Sequence, residues 1–128
     1  MESKYIPIKD LEIYKLAREL SKLAWEFYSK FDWQTKKVIG DQFIESTDSV
    51  GANIVEGYSR YHYLDKIKFY YNSRASLSES KDHWLELLKE RDKISLINYE
   101  KFKEIGERLA VKINNFISST YKAKQENK

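Results

Sequence analysis

Apolar residues recur along most of this chain at spacings of three and four, the period of an amphipathic helix rather than the alternation of a strand. Leu11, Tyr14, Ala17 (with Leu16 beside it), Leu20, Ala24, Phe27 and Phe31 form one such stripe, with Lys15, Arg18, Lys22 and Glu26 on another face. The spacing predicts a first helix from about Asp10, placed after Pro7 to act as N-cap, to Phe31. "KFDWQTKK" reads as the break. Phe43, Thr47, Val50, Ile54 and Gly57 (or Tyr58) then predict a second helix from about Gly40 to Tyr58, fraying at Gly57 and "SRYH". A narrower track of small and polar residues, Ser46, Ser49, Asn53 and Glu56, runs beside its seam.

The third helix is predicted from Leu64 or Asp65 to Arg91 and carries two tracks. Ile67, Tyr70, Leu77, Trp84 and Leu88 make one; Phe69, Ser73, Ser76, Ser80 and Leu87 make the other. Two buried tracks imply more than one neighbour, and the serines permit a close approach. "RDKISLIN" is the next break. Phe102, Ile105, Leu109, Ile113, Phe116 and Ile117 predict a fourth helix from about Tyr99 to Tyr121, and "KAKQENK" reads as a disordered polar tail. With no internal repeat or low-complexity linker, residues 1–121 read as one domain and 122–128 as its tail. Four helices joined by short turns predict an all-α fold, an antiparallel up-down four-helix bundle.

Composition agrees. One Pro and four Gly in 128 residues leave too few turn signals for a β-sandwich. Aromatics reach 15%, including ten Tyr and three Trp, generous for one small core and suited to interfaces. The chain has no Cys, which excludes a disulfide framework and a thiolate metal site. No stretch approaches the roughly 18 apolar residues of a membrane span, and the opening "MESKYIPIKD" lacks a signal peptide's apolar run. A cytoplasmic location is the expectation.

Catalytic signals are scarce. There is no Gly-rich phosphate loop and no nucleophile elbow. A bundle di-metal site needs inward Glu residues and paired Glu-x-x-His motifs, whereas this chain has only His62 and His83, with Glu79 four residues before the latter. No enzymatic activity and no cofactor are expected. The net charge of +3 permits nucleic-acid binding without demanding it. Lys15, Arg18 and Lys22 form a ridge on the first helix, extended by Lys36 and Lys37. Arg60, Lys66, Lys68 and Arg74 flank the second and third helices with Tyr58, Tyr61, Tyr63, Tyr70 and Tyr71 interleaved. Cations interleaved with aromatics can grip phosphates and stack bases; they are also how helical surfaces ordinarily keep charge.

"SVGANIVEGYSR" places Ser49, Asn53, Glu56 and Arg60 on one side of the second helix. An Asn and a Glu within a helical interface need partners, which Arg60, Ser76, Arg74 or Glu79 could supply. The residues read either as a polar lock specifying register and neighbours, with Ser49, Asn53, Glu56, Arg60, Ser76 and Glu79 as members, or as a polar pore or ligand site lined by Glu56 and Arg60.

These motifs resemble a known family. Ser49-Val50, Asn53-Ile54-Val55-Glu56-Gly57 and Arg60 are similar to a Ser-Ile-x-x-Asn-Ile-Ala-Glu-Gly-x-x-Arg pattern, and Ser73-Arg74-Ala75-Ser76-Leu77-Ser78-Glu79 to Ala-Arg-Gly-Ser-Leu-x-Glu. Both patterns belong to four-helix-bundle proteins encoded in intervening sequences of bacterial 23S ribosomal RNA genes, a group that includes accessory variability proteins of diversity-generating retroelements. "DLEIYKLARELSKLAWEFY" resembles the family's first helix. Val55 for Ala and Ala75 for Gly imply a slightly wider helix contact, and Glu45 stands where members often carry Arg. The resemblance implies a homopentamer around a central channel. It also implies nucleic-acid binding as in the basic retroelement members, with structured RNA or DNA as partner; a protein partner is the alternative.

Overall fold

In the computed structural model, residues 5–127 are described; the first four residues of "MESKYIPIKD" and Lys128 of the tail lie outside the described residues. A 3-10 turn, Ile8–Asp10, leads into α1, Glu12–Ser29. Asp10 therefore lies inside the turn, and Leu11, with extended backbone, takes the N-cap position without a side-chain bond. Helix α2 begins at Trp33, not Gly40: it runs through Trp33–Thr35, a π turn at Lys36–Gly40, and Asp41–Tyr58. The earlier start has a local cause. Asp32 accepts the Thr35 backbone N–H at 2.7 Å, which satisfies an orphan donor of the first turn.

Helix α3 comprises Tyr63–Ser78, a π turn at Glu79–Trp84, and Leu85–Glu90. It ends in a Schellman motif. Lys93 N–H reaches the Leu88 carbonyl at 2.8 Å and Asp92 N–H the Lys89 carbonyl at 3.0 Å, with Asp92 left-handed at φ 56°. Helix α4 spans Leu96–Glu126, capped by Ser95 Oγ, which accepts the Asn98 N–H at 3.1 Å. It starts before Tyr99 and continues past Tyr121, so residues 122–126 extend the helix instead of forming a disordered tail.

Helices α1 and α2, α2 and α3, α3 and α4, and α4 and α1 each pack together, closing a ring. Partner numbers fall on one helix as they rise on the other. Val50 and Thr47 meet Ser73 and Ser80, while Arg74 and Lys81 meet Asn114 and Glu107. Neighbours are thus antiparallel, as short connections require. The described residues form four helices and contain no strand. The core is laid down by Leu20, Phe43, Ile54, Leu77, Leu85, Leu109 and their neighbours. Phe102 joins α1, α2 and α4, with its ring 6.1 Å from Phe27 and 5.3 Å from Phe43. Burying each such side chain contributes about 1.5–3 kcal/mol.

Two details depart from the periodic reading. Leu85, fully buried, takes the inward place expected of Trp84, which is only half-buried. The π turn adds one residue to the helical path between Leu77 and Leu85 and advances the register by one. Val55 and Ala75 both face outward, so neither widens a helix contact. The close approach of α2 and α3 is instead at Gly57, where an added Cβ would lie 2.6 Å from Tyr70 Cε1 and 3.0 Å from the Lys66 carbonyl.

Candidate nucleic-acid interface

Helix α1 separates its charges sideways. At about 100° per residue, Lys15, Arg18 and Lys22 fall within about 60° of one another at the outer apex, and Glu12, Glu19 and Glu26 fall together on the next flank. That acidic flank turns toward α4, where Lys112 pairs with Glu12 at 2.9 Å. Lys15, Arg18 and Lys22 line one shallow hollow with Glu19 and Ser21, and none of the three cations is in an ion pair among the described residues. Arg18 is nevertheless held in place: its guanidinium donates to the Tyr14 hydroxyl at 2.8 Å. Lys36, from the π turn of α2, sits 5.0 Å from the centre of the Tyr28 ring. Of the expected extension, Lys36 is thus placed against Tyr28 on the α2 side of α1.

The cations at the other end are engaged differently. Lys66 donates to the Tyr58 carbonyl at 2.9 Å, closing the C-terminal end of α2, and its burial pulls its pKa below the ordinary lysine value. It is a structural cap more than a free charge. Arg60 and Lys68 bracket the Phe69 ring, at 4.7 and 5.9 Å from its centre. Arg74 lies over Tyr71 at 4.7 Å and donates to Asn114 Oδ1 at 2.9 Å. Each is a cation–π arrangement, so the interleaving expected from sequence exists for Arg60, Lys68 and Arg74. Lys66 also lies over an aromatic ring, 5.5 Å from the centre of Tyr58, so the partners are Phe69, Tyr71 and Tyr58, not the whole tyrosine run.

Within one chain the polar stripe of α2 does not lock two helices together. Asn53 donates to its own helix, to the Ser49 carbonyl at 2.9 Å. Glu56 and Arg60 pair at 3.2 Å with side chains 56% and 46% exposed, in contact with water. Glu79 accepts from Trp84 Nε1 at 2.7 Å, and neither it nor Ser76 bonds to the stripe. The buried polar contacts between α2 and α3 lie one position round the helix. Thr47 and Ser80 hydroxyls meet at 2.6 Å, and Ser73 donates to the Val50 carbonyl at 2.8 Å. The serines of the second α3 track do permit close approach, through Ser73 and Ser80.

A charged seam between α3 and α4 is not foreseen by the sequence pattern. Lys81, only 6% exposed, reaches Asp82 at 2.9 Å and Glu107 at 3.1 Å. Lys103 reaches Asp82 at 3.1 Å and Glu86 at 3.5 Å. Tyr99 donates to Glu86, and that bond pushes its pKa up to about 12. Burial works to raise the Asp82 pKa, but the hydrogen bonds from Lys81 and Lys103 outweigh it and hold the carboxyl below the usual range. Burial likewise opposes the Lys103 charge, and Asp82, Glu86 and Glu107 overcome it, raising that pKa. The signal in the sequence is Gly106: an added Cβ there would lie 3.0 Å from Lys81 Cδ, so glycine leaves a path for the lysine stem. Among the described residues no three His, Asp or Glu side chains converge as a metal site, and no helix is long and apolar enough to cross a membrane.

Closed core, outward chemistry and antiparallel connectivity define a four-helix bundle that presents surfaces. The chain belongs to the 23S rRNA-intervening sequence protein family, whose model matches residues 9–115. The fold is similar to the crystal structure of a protein of unknown function from the S23 ribosomal protein family of Bacteroides thetaiotaomicron. The two share 22% identity with a TM-score of 0.77, over 83% of this chain and 95% of that one. No curated protein matches the chain.

Proposed function

We propose that this chain is a non-enzymatic, homo-oligomeric adaptor of the cytoplasm that binds structured RNA or DNA through its outer cationic surfaces. The observation that carries the reading is the α1 ridge. Lys15, Arg18 and Lys22 stand together and outside any ion pair among the described residues, with Glu12 drawn to Lys112 of α4 and Glu19 at the edge of the same hollow. Phosphates approaching such a ridge release their counterions, and that release drives binding. Arg60, Lys68 and Arg74, each on an aromatic ring, form a second contact area. The motif resemblance to the intervening-sequence family supports a pentamer, and the retroelement accessory proteins of the same broad group support a nucleic-acid partner. In that assembly Asn53 and Glu56 would face a neighbouring copy.

The test is a titration against labelled structured RNA and duplex DNA at low and near-physiological salt. Replacing Lys15, Arg18 and Lys22 by Gln is expected to flatten the log–log salt dependence by about 0.7–0.9 for each phosphate that the ridge no longer neutralises. An unchanged slope removes the ridge from the interface. Sedimentation of the Asn53→Leu and Glu56→Gln variants tests the assembly: unaltered oligomers would show that the stripe is not a subunit contact or is dispensable there. A protein-binding scaffold is the second reading. It is favoured by the groove between α1 and α2, where Val55 is 39% exposed beside Ser21, Gly51 and Ala52. A protein partner retained after nuclease treatment would favour it over the first.

A further inference from the structure

The cationic ridge of α1 does not end on a charge. Trp25 follows Lys22 at the same three-residue step, about 20° round the helix from Arg18. It is 59% exposed although it is among the largest apolar side chains in the chain. It is also fixed. Its indole stacks on Tyr28 with ring centres 5.6 Å apart and planes 20° apart. Tyr28 is anchored in turn: its hydroxyl donates to Asp41 Oδ1 at 2.6 Å, and Lys36 lies 5.0 Å from its ring centre on the α2 side. A lone exposed Trp needs no explanation. This one is held flat by a second ring, itself pinned by a hydrogen bond, at the end of a row of cations.

We infer that Trp25, on its Tyr28 support, is a stacking platform for an unpaired base, so that the ligand of the ridge is a single strand or loop, not a continuous duplex. The inference rests on the nucleic-acid reading above and narrows it. Within a duplex, away from its two ends, the base faces are already stacked on one another, so there the platform has no face to take and the ridge alone would act. In a loop or single strand a base is free to lie on the outer face of the indole while its flanking phosphates meet Lys22 and Arg18 on one side and Lys36 on the other. Stacking tolerates any base, so little sequence preference accompanies it. Asp41 is the nearest carboxylate, bonded to the Tyr28 hydroxyl, and Glu45 also acts on that hydroxyl from the α2 side; Glu19 and Glu26 lie round the helix toward α4.

The test compares an unstructured pyrimidine oligoribonucleotide with a blunt RNA duplex by fluorescence anisotropy on the full chain. Trp25→Ala is expected to weaken the single strand about tenfold and the duplex less than about twofold, with the salt slope unchanged. Trp25→Phe is expected to recover most of the affinity. The Lys15, Arg18 and Lys22 to Gln variant should flatten the slope for both ligands. If Trp25→Ala weakens neither ligand, or both alike, while the Gln variant still flattens the slope, the platform is wrong and the ridge stands. If the Gln variant leaves the slope untouched as well, the nucleic-acid reading falls with it. A change of sedimentation coefficient in Trp25→Ala without weaker single-strand binding overturns the platform in another way, by placing Trp25 between copies.

Discussion

The outer face of α1 and the seam between α3 and α4 are both dense in charge, and they differ in what the charges face. In the seam, Lys81 and Lys103 are surrounded by Asp82, Glu86 and Glu107 at distances from 2.9 to 3.9 Å. On α1, Lys15, Arg18 and Lys22 face outward while their helix's carboxylates sit on another flank. Paired charges specify how two helices lie together. Unpaired ones on a common face set a field to which an anion can respond. Counting basic residues cannot separate the two roles, because the chain's small net charge of +3 averages over both.

The contrast can be broken most forcefully at Lys81. Lys81→Ala removes the buried stem and one of the two ammonium groups shared by Asp82 and Glu107, leaving Lys103 as their remaining partner. Because Asp82 and Glu107 keep roughly half of their exposure, the cost should be about 2 kcal/mol, below that of a fully buried pair. A lower urea midpoint with unchanged nucleic-acid affinity is the expected outcome, and Lys81→Met, which keeps the stem, should recover part of it.

Asp82 comes next. Its folded pKa is depressed, so its contribution is present above the unfolded value near 3.9 and is lost as pH falls through the folded value. Lys103, raised, contributes below the unfolded lysine value near 10.4 and stops contributing as pH rises through its folded pKa. Asp82→Asn should therefore cost under about 1 kcal/mol at neutral pH and make the acid limb of a stability–pH curve shallower.

Lys66→Gln sharpens the division between capping and binding cations. It should lower stability by about 0.5–1 kcal/mol, because the bond to the Tyr58 carbonyl is removed, without altering the salt slope. The smallest effect is expected at the ridge itself: Arg18→Gln should move stability by no more than about 0.5 kcal/mol while reducing the salt slope. A ridge variant that unfolds the protein would abolish the distinction.

Most of the fold is legible in the sequence because helices bury apolar residues at a fixed period. Phe43, Thr47, Val50, Ile54 and Gly57 mark the α2 seam by spacing, and all five are buried. Periodicity misleads where a local device breaks it. Asp32 caps α2 well before the apolar seam begins, and the π turn at Glu79–Trp84 exchanges Trp84 for Leu85. The ridge is visible as spacing on one helix. The seam is not, since Lys81 and Glu107 are distant in sequence and meet only because α3 and α4 run antiparallel. Nor can spacing show that Asn53 turns back on its own helix or that Trp25 rests on Tyr28.

Sequence by itself determined the helical class, the four-element order, most inward positions and the cations of α1, because each follows from periodicity within one segment. Tertiary structure alone decided which charges are neutralised, which lysine is a cap, and which glycine marks the closest approach. Those outcomes depend on distances between helices, and the helix period contains no information about what stands opposite.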